Sequence, residues 1–377
     1  MTECTATITS LEHVDGEYYV TLSDSIFFPE EGGQYADRGF LIYNGEKVRL
    51  LGGIFGADNK YKLERAIPAG TEVKCELDWD IRYDRMQNHS GEHLLTGVIH
   101  NVFGYNNVGF HLSDEGPVTL DLSGPMTYEQ VIELEKVANS YIYANIPIKD
   151  SYPSKEELAS IDYRSKIEIE GQVRLITIGD DQETVDVCAC CAPHVKTTGE
   201  IGIIKVISVI NWKGGVRISM LAGRRALEYI NHEHDIIRSL TGLLTTSQDN
   251  LCNQVSAHMQ EINELKGKLA QALEKGVLDR INESGVQFVF LDGDFPATSM
   301  RNIYNVLTEK NEGFVGVFAG DDENGYRYFA GSASLDSRII ANKLKEEFDA
   351  KGGGKPEMVQ GQVSASEEAL RNALSKL

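Results

Sequence analysis

The sequence predicts a multidomain α+β protein: a small N-terminal β-barrel, an α+β block, a helical arm and a C-terminal α/β domain. Three observations lead there. The first 80 residues alternate polar and apolar positions in short runs broken by Gly, Asp and Asn. Residues 226–283 contain no proline and repeat Leu and Ile at spacings of three and four. After residue 286, strand-like and helix-like segments take turns. The expected division is 1–80, 81–225, 226–284 and 285–377.

In the barrel the expected strands are Thr5 to Ile8, Tyr18 to Leu22, Gly39 to Tyr43, Val48 to Leu51 and Glu72 to Leu77. A helix follows over Ser90 to Val102, burying Leu94, Leu95, Val98, Ile99 and Val102. Thr127 and Gln130 have the spacing of a capping box, so a second helix opens there and runs to about Ala144. Strands over Val173 to Ile178 and Ile201 to Ile210 complete the block. The arm reads as two antiparallel helices joined at Thr245 to Asp249, with Leu251, Val255, Met259, Ile262, Leu265, Leu269 and Leu273 in one seam. The last block offers strands near 286, 314 and 326, helices over Met300 to Lys310 and Leu335 to Phe348, a glycine-rich stretch and a final helix from Ser366.

With 377 residues and a net charge of −21, the chain is unsuited to coating nucleic acid by bulk electrostatics. Between Glu200 and Glu228, however, there is no acidic residue, while Lys205, Lys213, Arg217, Arg224 and Arg225 all fall there. That segment is the expected contact for a phosphate backbone. No apolar run reaches eighteen residues, no signal peptide is recognisable, and six cysteines do not make a disulfide framework, so a soluble cytoplasmic protein is expected.

The chemistry concentrates in two pairs. His89-Ser-Gly-Glu-His93 sets two imidazoles four residues apart, on one face of a helix. Cys190-Cys-Ala-Pro-His194 repeats that spacing with a thiolate and an imidazole. Together they offer a four-ligand N/S set suited to one Zn2+ per chain. Cys188 and Cys191 are alternative thiolates. His89-x-x-Glu92-His93 also fits an inverted zincin metalloprotease, with Glu92 as general base. A protease of that kind takes a carboxylate as third ligand, and Cys190 and His194 are better placed. Upstream, Phe27-Phe-Pro-Glu-Glu-Gly32-Gly33-Gln34-Tyr-Ala-Asp37-Arg-Gly39 brings a double glycine and an amide that can both donate and accept.

In this order the segments Phe27 to Gly39, Asn88 to Leu95, Cys190 to His194 with Thr198 to Gly202, and Gly215 to Ile218 with Gly223 resemble the editing half of the alanyl-tRNA synthetase family. Gly352-Gly-Gly-Lys-Pro-Glu-Met-Val-Gln360 resembles the signature of that family's C-terminal module, DHHA1. The resemblance implies that His89, His93, Cys190 and His194 bind zinc and that the activity is hydrolysis of mischarged tRNA(Ala), carrying serine or glycine. Gln34, Glu92 and His111 are the candidates for positioning water. Lys213, Arg217, Arg224, Arg225 and the backbone of Gly352, Gly353, Gly354 and Lys355 are the candidates for RNA contact.

The chain starts directly with the barrel, without the class II aminoacylation and tRNA-binding regions of a synthetase. A free-standing editing protein acting in trans is therefore expected. The helical arm offers a homodimer surface. Lys355 is followed by Pro356, so the chain has no phosphate loop and ATP is not expected. No Asp-His-His triplet occurs, which disfavours the DHH phosphoesterases. Where relatives read Cys-Gly-Gly-Thr-His, this chain has Cys190-Cys191-Ala192-Pro193-His194, so the pocket is expected to be reshaped. A tRNA-binding protein with a degenerate editing site is the alternative that departure raises.

Overall fold

A computed structural model describes the chain except residues 1, 57, 115, 166–170 and 181, with residues 283 and 284 described by backbone alone. It divides into two compact units, residues 1–237 and 238–377.

The first unit opens with six strands: β1 (Glu3–Val14), β2 (Glu17–Leu22), β3 (Gly39–Tyr43), β4 (Glu46–Ile54), β5 (Lys60–Leu63) and β6 (Glu72–Leu77). They close into a barrel in the order β1-β2-β5-β4-β3-β6, with Ile8, Val20, Leu41, Val48, Leu50 and Val73 inside. Closure removes the free sheet edges that open strands would present. The short strand β5 is an addition to the expected set: its Tyr61 and Leu63 fill the barrel, but Lys60 and Lys62 between them blur the pattern.

Helix α1 (Trp79–Phe103) follows, capped by Asp78, whose carboxylate accepts the Ile81 N–H. It starts eleven residues before the expected helix, and the reason is physical. Arg82, Asp84 and Arg85 sit on its inner side, paired with Asp37, Arg225 and Asp114, so a buried face is written in charged letters. Strands β7 (Asn107–His111) and β8 (Val118–Leu122) lead to α2 (Tyr128–Ala144), whose Thr127–Gln130 capping box forms as expected. Next come β9 (Ile148–Ser151), a helical turn α3 (Lys155–Leu158), β10 (Leu175–Gly179), β11 (Thr184–Ala189), β12 (Ile204–Trp212) and β13 (Gly215–Ala222). They form one sheet β12-β13-β8-β7 and another β11-β10-β9. Leu94, Leu95, Val98 and Ile99 of α1 share a core with Leu120, Val131, Ile178, Val206 and Ile218. Strands β7, β8, β9, β11 and β13 are additions to the two expected here, and in β11 Asp186 and Cys188 are buried polar positions that a hydrophobic pattern does not register; Val102 of α1, expected inside, is exposed.

Helix α4 (Gly223–Leu244) leads out of the first unit, and α5 (Leu251–Ser284) opens the second after a 3-10 turn over Gln248–Asn250. Both expected helices are present. On α5, Val255, Met259, Ile262, Leu265, Leu269 and Leu273 are each 47–61% exposed, and only Val277 and Ile281 near its end enter a core.

The second unit continues with β14 (Phe288–Asp292), α6 (Ala297–Lys310), β15 (Val315–Asp321), β16 (Gly325–Gly331), α7 (Arg338–Phe348), β17 (Lys351–Lys355), β18 (Met358–Val363) and α8 (Glu367–Leu374). The sheet order is β14-β15-β16-β18-β17, with only β14 and β15 parallel. Alternation sends Val315, Val317 and Ala319 to the α6 side and Phe314 and Phe318 to the side of α7 and α8. The glycine-rich stretch forms strand β17, paired with β18. Gly352 pairs with Gly361, and a Cβ on either would lie 2.8 Å from the Tyr328 hydroxyl, so these glycines let two strands lie against a buried ring.

Candidate metal centre

The centre is assembled from α1, from the segment after β11 and from the loop between β2 and β3. Helical spacing puts His89 and His93 on one buried face of α1, with ring centroids 5.2 Å apart. Strand β11 delivers Cys190 and His194 to that face: His194 lies 4.7 Å from His89 and 4.6 Å from His93, centroid to centroid. One donor atom from each of the four residues lies within 4.8 Å of the others. Cys190 Sγ is 3.7 Å from His89 Nε2 and 3.4 Å from His194 Nε2. A tetrahedral ion with zinc's usual bond lengths needs sulfur and nitrogen ligands about 3.6 Å apart. Those two distances match a shared ion, and the four side chains together make a candidate site for one.

The other two thiols sort themselves by position. Cys188 groups with His93 and Asp186, while Cys191 turns outward, and a Cβ built on Gly32 would lie 2.8 Å from its sulfur. Burial, the Cys190 charge and Glu31 push the Cys191 thiol up to about 12. At Cys190 burial raises the thiol's pKa, but His89, His194 and His93 around it outweigh that and hold it well below its usual value. Burial drives His194 down to about 3, which leaves its ring neutral. His93 goes the other way: burial lowers its ring's pKa, but Cys188, Asp186 and Cys190 outweigh that and hold it well above its usual value.

Gln34 reaches the centre on its loop. The backbone runs through Gly32 and Gly33 at φ +62° and +82°, and a Cβ at Gly33 would come within 3.1 Å of the Phe110 ring. Its Oε1 lies 3.0 Å from His89 Nδ1, so with that nitrogen protonated Nε2 is left for the ion. Phe110 stacks on His89 at 4.9 Å. The loop is tied to α1 by two residues the motifs did not single out. Arg82 clamps Asp37, which also accepts the Phe28 N–H at 2.6 Å. Arg85 donates to the carbonyls of Tyr35 at 3.2 Å and Ala36 at 2.6 Å and makes a forked pair with Asp114.

Glu92 is buried beside the cluster, with Oε2 3.8 Å from His93 Nε2 and Oε1 held by the Asn107 amide. His111 is exposed on β7, against the Tyr35 ring at 6.3 Å between centroids and apart from the four ligands. The basic segment is mixed. Lys213 sits in the β12–β13 turn, 5.4 Å over the Trp212 ring, and Arg224 is exposed. Arg217 stacks 4.0 Å over Trp212 but makes a forked pair with Asp121. Arg225 is a correction: its guanidinium is spent inside the fold on Asp84 and on the Ser113 and Gly116 carbonyls.

Residues 173–219 match the second additional domain of threonyl and alanyl tRNA synthetases, and residues 283–377 match the DHHA1 domain. The alanyl-tRNA editing protein Aarsd1-B of Xenopus laevis is 28% identical over 370 residues, which are 92% of this chain and 85% of that protein. The alanyl-tRNA editing protein AlaX-L of Pyrococcus horikoshii is 26% identical over 95% of this chain and 91% of its own length. This chain is a relative of the alanyl-tRNA synthetases and alanyl-tRNA editing proteins. An alanine–tRNA ligase of Ignicoccus hospitalis is 29% identical over 95% of this chain but only 40% of the ligase. The first matched segment contains Cys190 and His194; His89 and His93 come to them from outside it, so the fold joins the two halves of the centre.

Proposed function

We propose that this chain is a trans-acting hydrolase that removes serine or glycine from mischarged tRNA(Ala), at a zinc centre formed by His89, His93, Cys190 and His194. The convergence of those four side chains carries the reading. Its direction comes from relatives named alanyl-tRNA editing proteins, which match this chain over most of their own length. A small pocket cannot reject serine or glycine from an alanine site by more than about a hundredfold, so a second hydrolytic site has a purpose.

Zinc bound here supplies Lewis acidity and orientation at the end of the substrate. Held by four protein ligands, zinc would act mainly as an organiser and would need to gain a fifth ligand to act as a Lewis acid, so proton movement is assigned to the chain's own groups. Glu92 is the carboxylate on the Nε2 side of His93 and takes the water proton. Gln34 holds His89, and His111 stands at the exposed rim. Lys213, Arg217 and Arg224 offer charge to the RNA backbone, and Lys355 with the glycine-rich strand offers a second contact. The exposed seam of α5 is where a second copy of the chain docks. No helix among the described residues is long and apolar enough to cross a membrane, in keeping with work on tRNA in the cytoplasm.

The test is deacylation of seryl-tRNA(Ala), glycyl-tRNA(Ala) and alanyl-tRNA(Ala) by purified protein, with and without a zinc chelator. Release of serine that the chelator abolishes and zinc restores is the expected result. Binding of tRNA without release of any amino acid would replace the enzyme by a tRNA-binding protein with a degenerate site.

A further inference from the structure

His93 stands apart from the other two histidines of the proposed set in what lies behind it. His89 has the neutral amide of Gln34 on its Nδ1, and His194 has the neutral hydroxyl of Ser90 at 3.0 Å. Behind His93 Nδ1 is a carboxylate oxygen, Asp186 Oδ2, at 3.4 Å. Asp186 is only 2% exposed in its side chain, and an ionised carboxylate does not survive there without compensation. Arg164 provides it with a two-pronged pair, Nε to Oδ1 at 2.7 Å and Nη2 to Oδ2 at 2.9 Å. The same Nη2 donates to Thr96 Oγ1 on α1 at 3.0 Å.

The helix is shaped to admit this group. Gly97 lies four residues after His93, and a Cβ there would sit 2.7 Å from Asp186 Cβ and 2.9 Å from the Val185 carbonyl. Any side chain at 97 would push β11 off α1. Asp186 and Cys190 lie on one short stretch of chain, so the strand brings a ligand and the group behind another ligand in a single placement.

We propose that Asp186, clamped by Arg164 and admitted by Gly97, is the positioning residue that fixes His93 with Nε2 toward the metal and thereby sets the zinc affinity of the centre. A carboxylate behind a ligating imidazole holds its proton on Nδ1, locks the ring and strengthens the nitrogen facing the ion. The inference rests on the metal centre and not on the identity of the substrate.

The experiment measures zinc affinity of the full chain by competition with a chromophoric chelator, and cobalt(II) absorption as a report on the ligand shell. Removing Asp186 alone leaves Arg164 buried and unpaired, so the main variant replaces both, Asp186→Leu with Arg164→Met. It should keep the folded circular dichroism spectrum and the cobalt–thiolate band while zinc binding weakens about 10- to 100-fold. Asp186→Asn, which keeps an acceptor oxygen but no charge, should lose less, and Gly97→Ala should weaken zinc without altering a polar group. Glu135→Gln is the control: this carboxylate on α2 pairs with Lys205 and the Val206 N–H, away from the ligands, and its loss should lower thermal stability but not zinc affinity. Zinc binding within twofold of the parent in the Asp186 variants overturns the proposal, as does an equal loss in Glu135→Gln. A parent chain that binds no zinc overturns it together with the metal centre. A parent that binds zinc but releases no serine leaves it standing and refutes only the proposed substrate.

Discussion

At the scale of single residues, the proposed centre separates groups that would hold an ion from one that can move a proton. Glu92 Oε2 lies 3.8 Å from His93 Nε2, while Asn107 holds the other oxygen. General-base catalysis contributes about 10²- to 10⁴-fold. Glu92→Gln should therefore lower the maximal rate of seryl-tRNA(Ala) hydrolysis by that factor at unchanged zinc content; metal analysis beside single-turnover kinetics checks both, and an undiminished rate removes Glu92 from the mechanism. His93→Ala should instead lose zinc and activity together. The cysteines give a separate reading. Cys190 is held as a thiolate by the imidazoles around it, whereas burial, the Cys190 charge and Glu31 push the Cys191 thiol up to about 12. Iodoacetamide should modify Cys190 first once zinc is stripped, and zinc should protect it, as peptide mapping by mass spectrometry would show. Preferential labelling of Cys191 in the stripped protein would contradict that assignment.

At the scale of elements, the glutamine-bearing loop is held to α1 by two arginines, and both ties can be probed. Breaking a buried pair by removing one partner costs about 3–5 kcal/mol. Asp37→Ala strands the mostly buried Arg82 and also frees the Phe28 N–H, so denaturant unfolding should register a loss of that order. Zinc affinity should fall with it, because Gln34 leaves His89. The second tie is sensitive to pH. At Asp114 burial raises the carboxyl's pKa, but the Arg85 fork and the charges of Arg38 and Arg225 outweigh it and hold it below its usual value. A depressed carboxylate stabilises the fold above its unfolded pKa of about 3.9, and that contribution is lost as pH falls through the lower folded value. The stability gap between the parent and Asp114→Asn should thus be full at neutral pH and close below about pH 4. A gap that persists in acid would assign the effect to packing.

For the whole molecule, the proposed ligands and their supports all lie in residues 1–237, and the second unit contributes the end of α4, all of α5 and the DHHA1 domain. A chain ending at Ile237 should hydrolyse mischarged tRNA with a raised Michaelis constant and a similar maximal rate, since uniform binding is what it loses. An unchanged Michaelis constant accompanied by a change from dimer to monomer in sedimentation would give the second unit to self-association. Structural zinc is worth about 10 to 16 kcal/mol of apparent binding free energy at neutral pH. Chelation should accordingly loosen the centre, seen as faster amide exchange in α1 and in the segment after β11, while the barrel stays protected.

Legible in the sequence by itself were the proposed ligand set, five of the six barrel strands and the main helices, because those features are local. Four-residue spacing, a Thr127–Gln130 cap and alternating strands are readable from neighbours along the chain. It also carried the family resemblance, through motifs in a fixed order. What only the tertiary structure decided involves charged residues turned inward and contacts between distant segments. Helix α1 was shortened by eleven residues because Arg82, Asp84 and Arg85 look like surface until Asp37, Arg225 and Asp114 are seen beside them. Arg225 looked like an RNA contact and is an internal brace for the same reason. Asp186 and Arg164 carried no motif, and their meaning exists only where β11 meets α1 at Gly97. A buried ion pair stabilises through partners brought together by the fold, so periodicity along the chain cannot announce it.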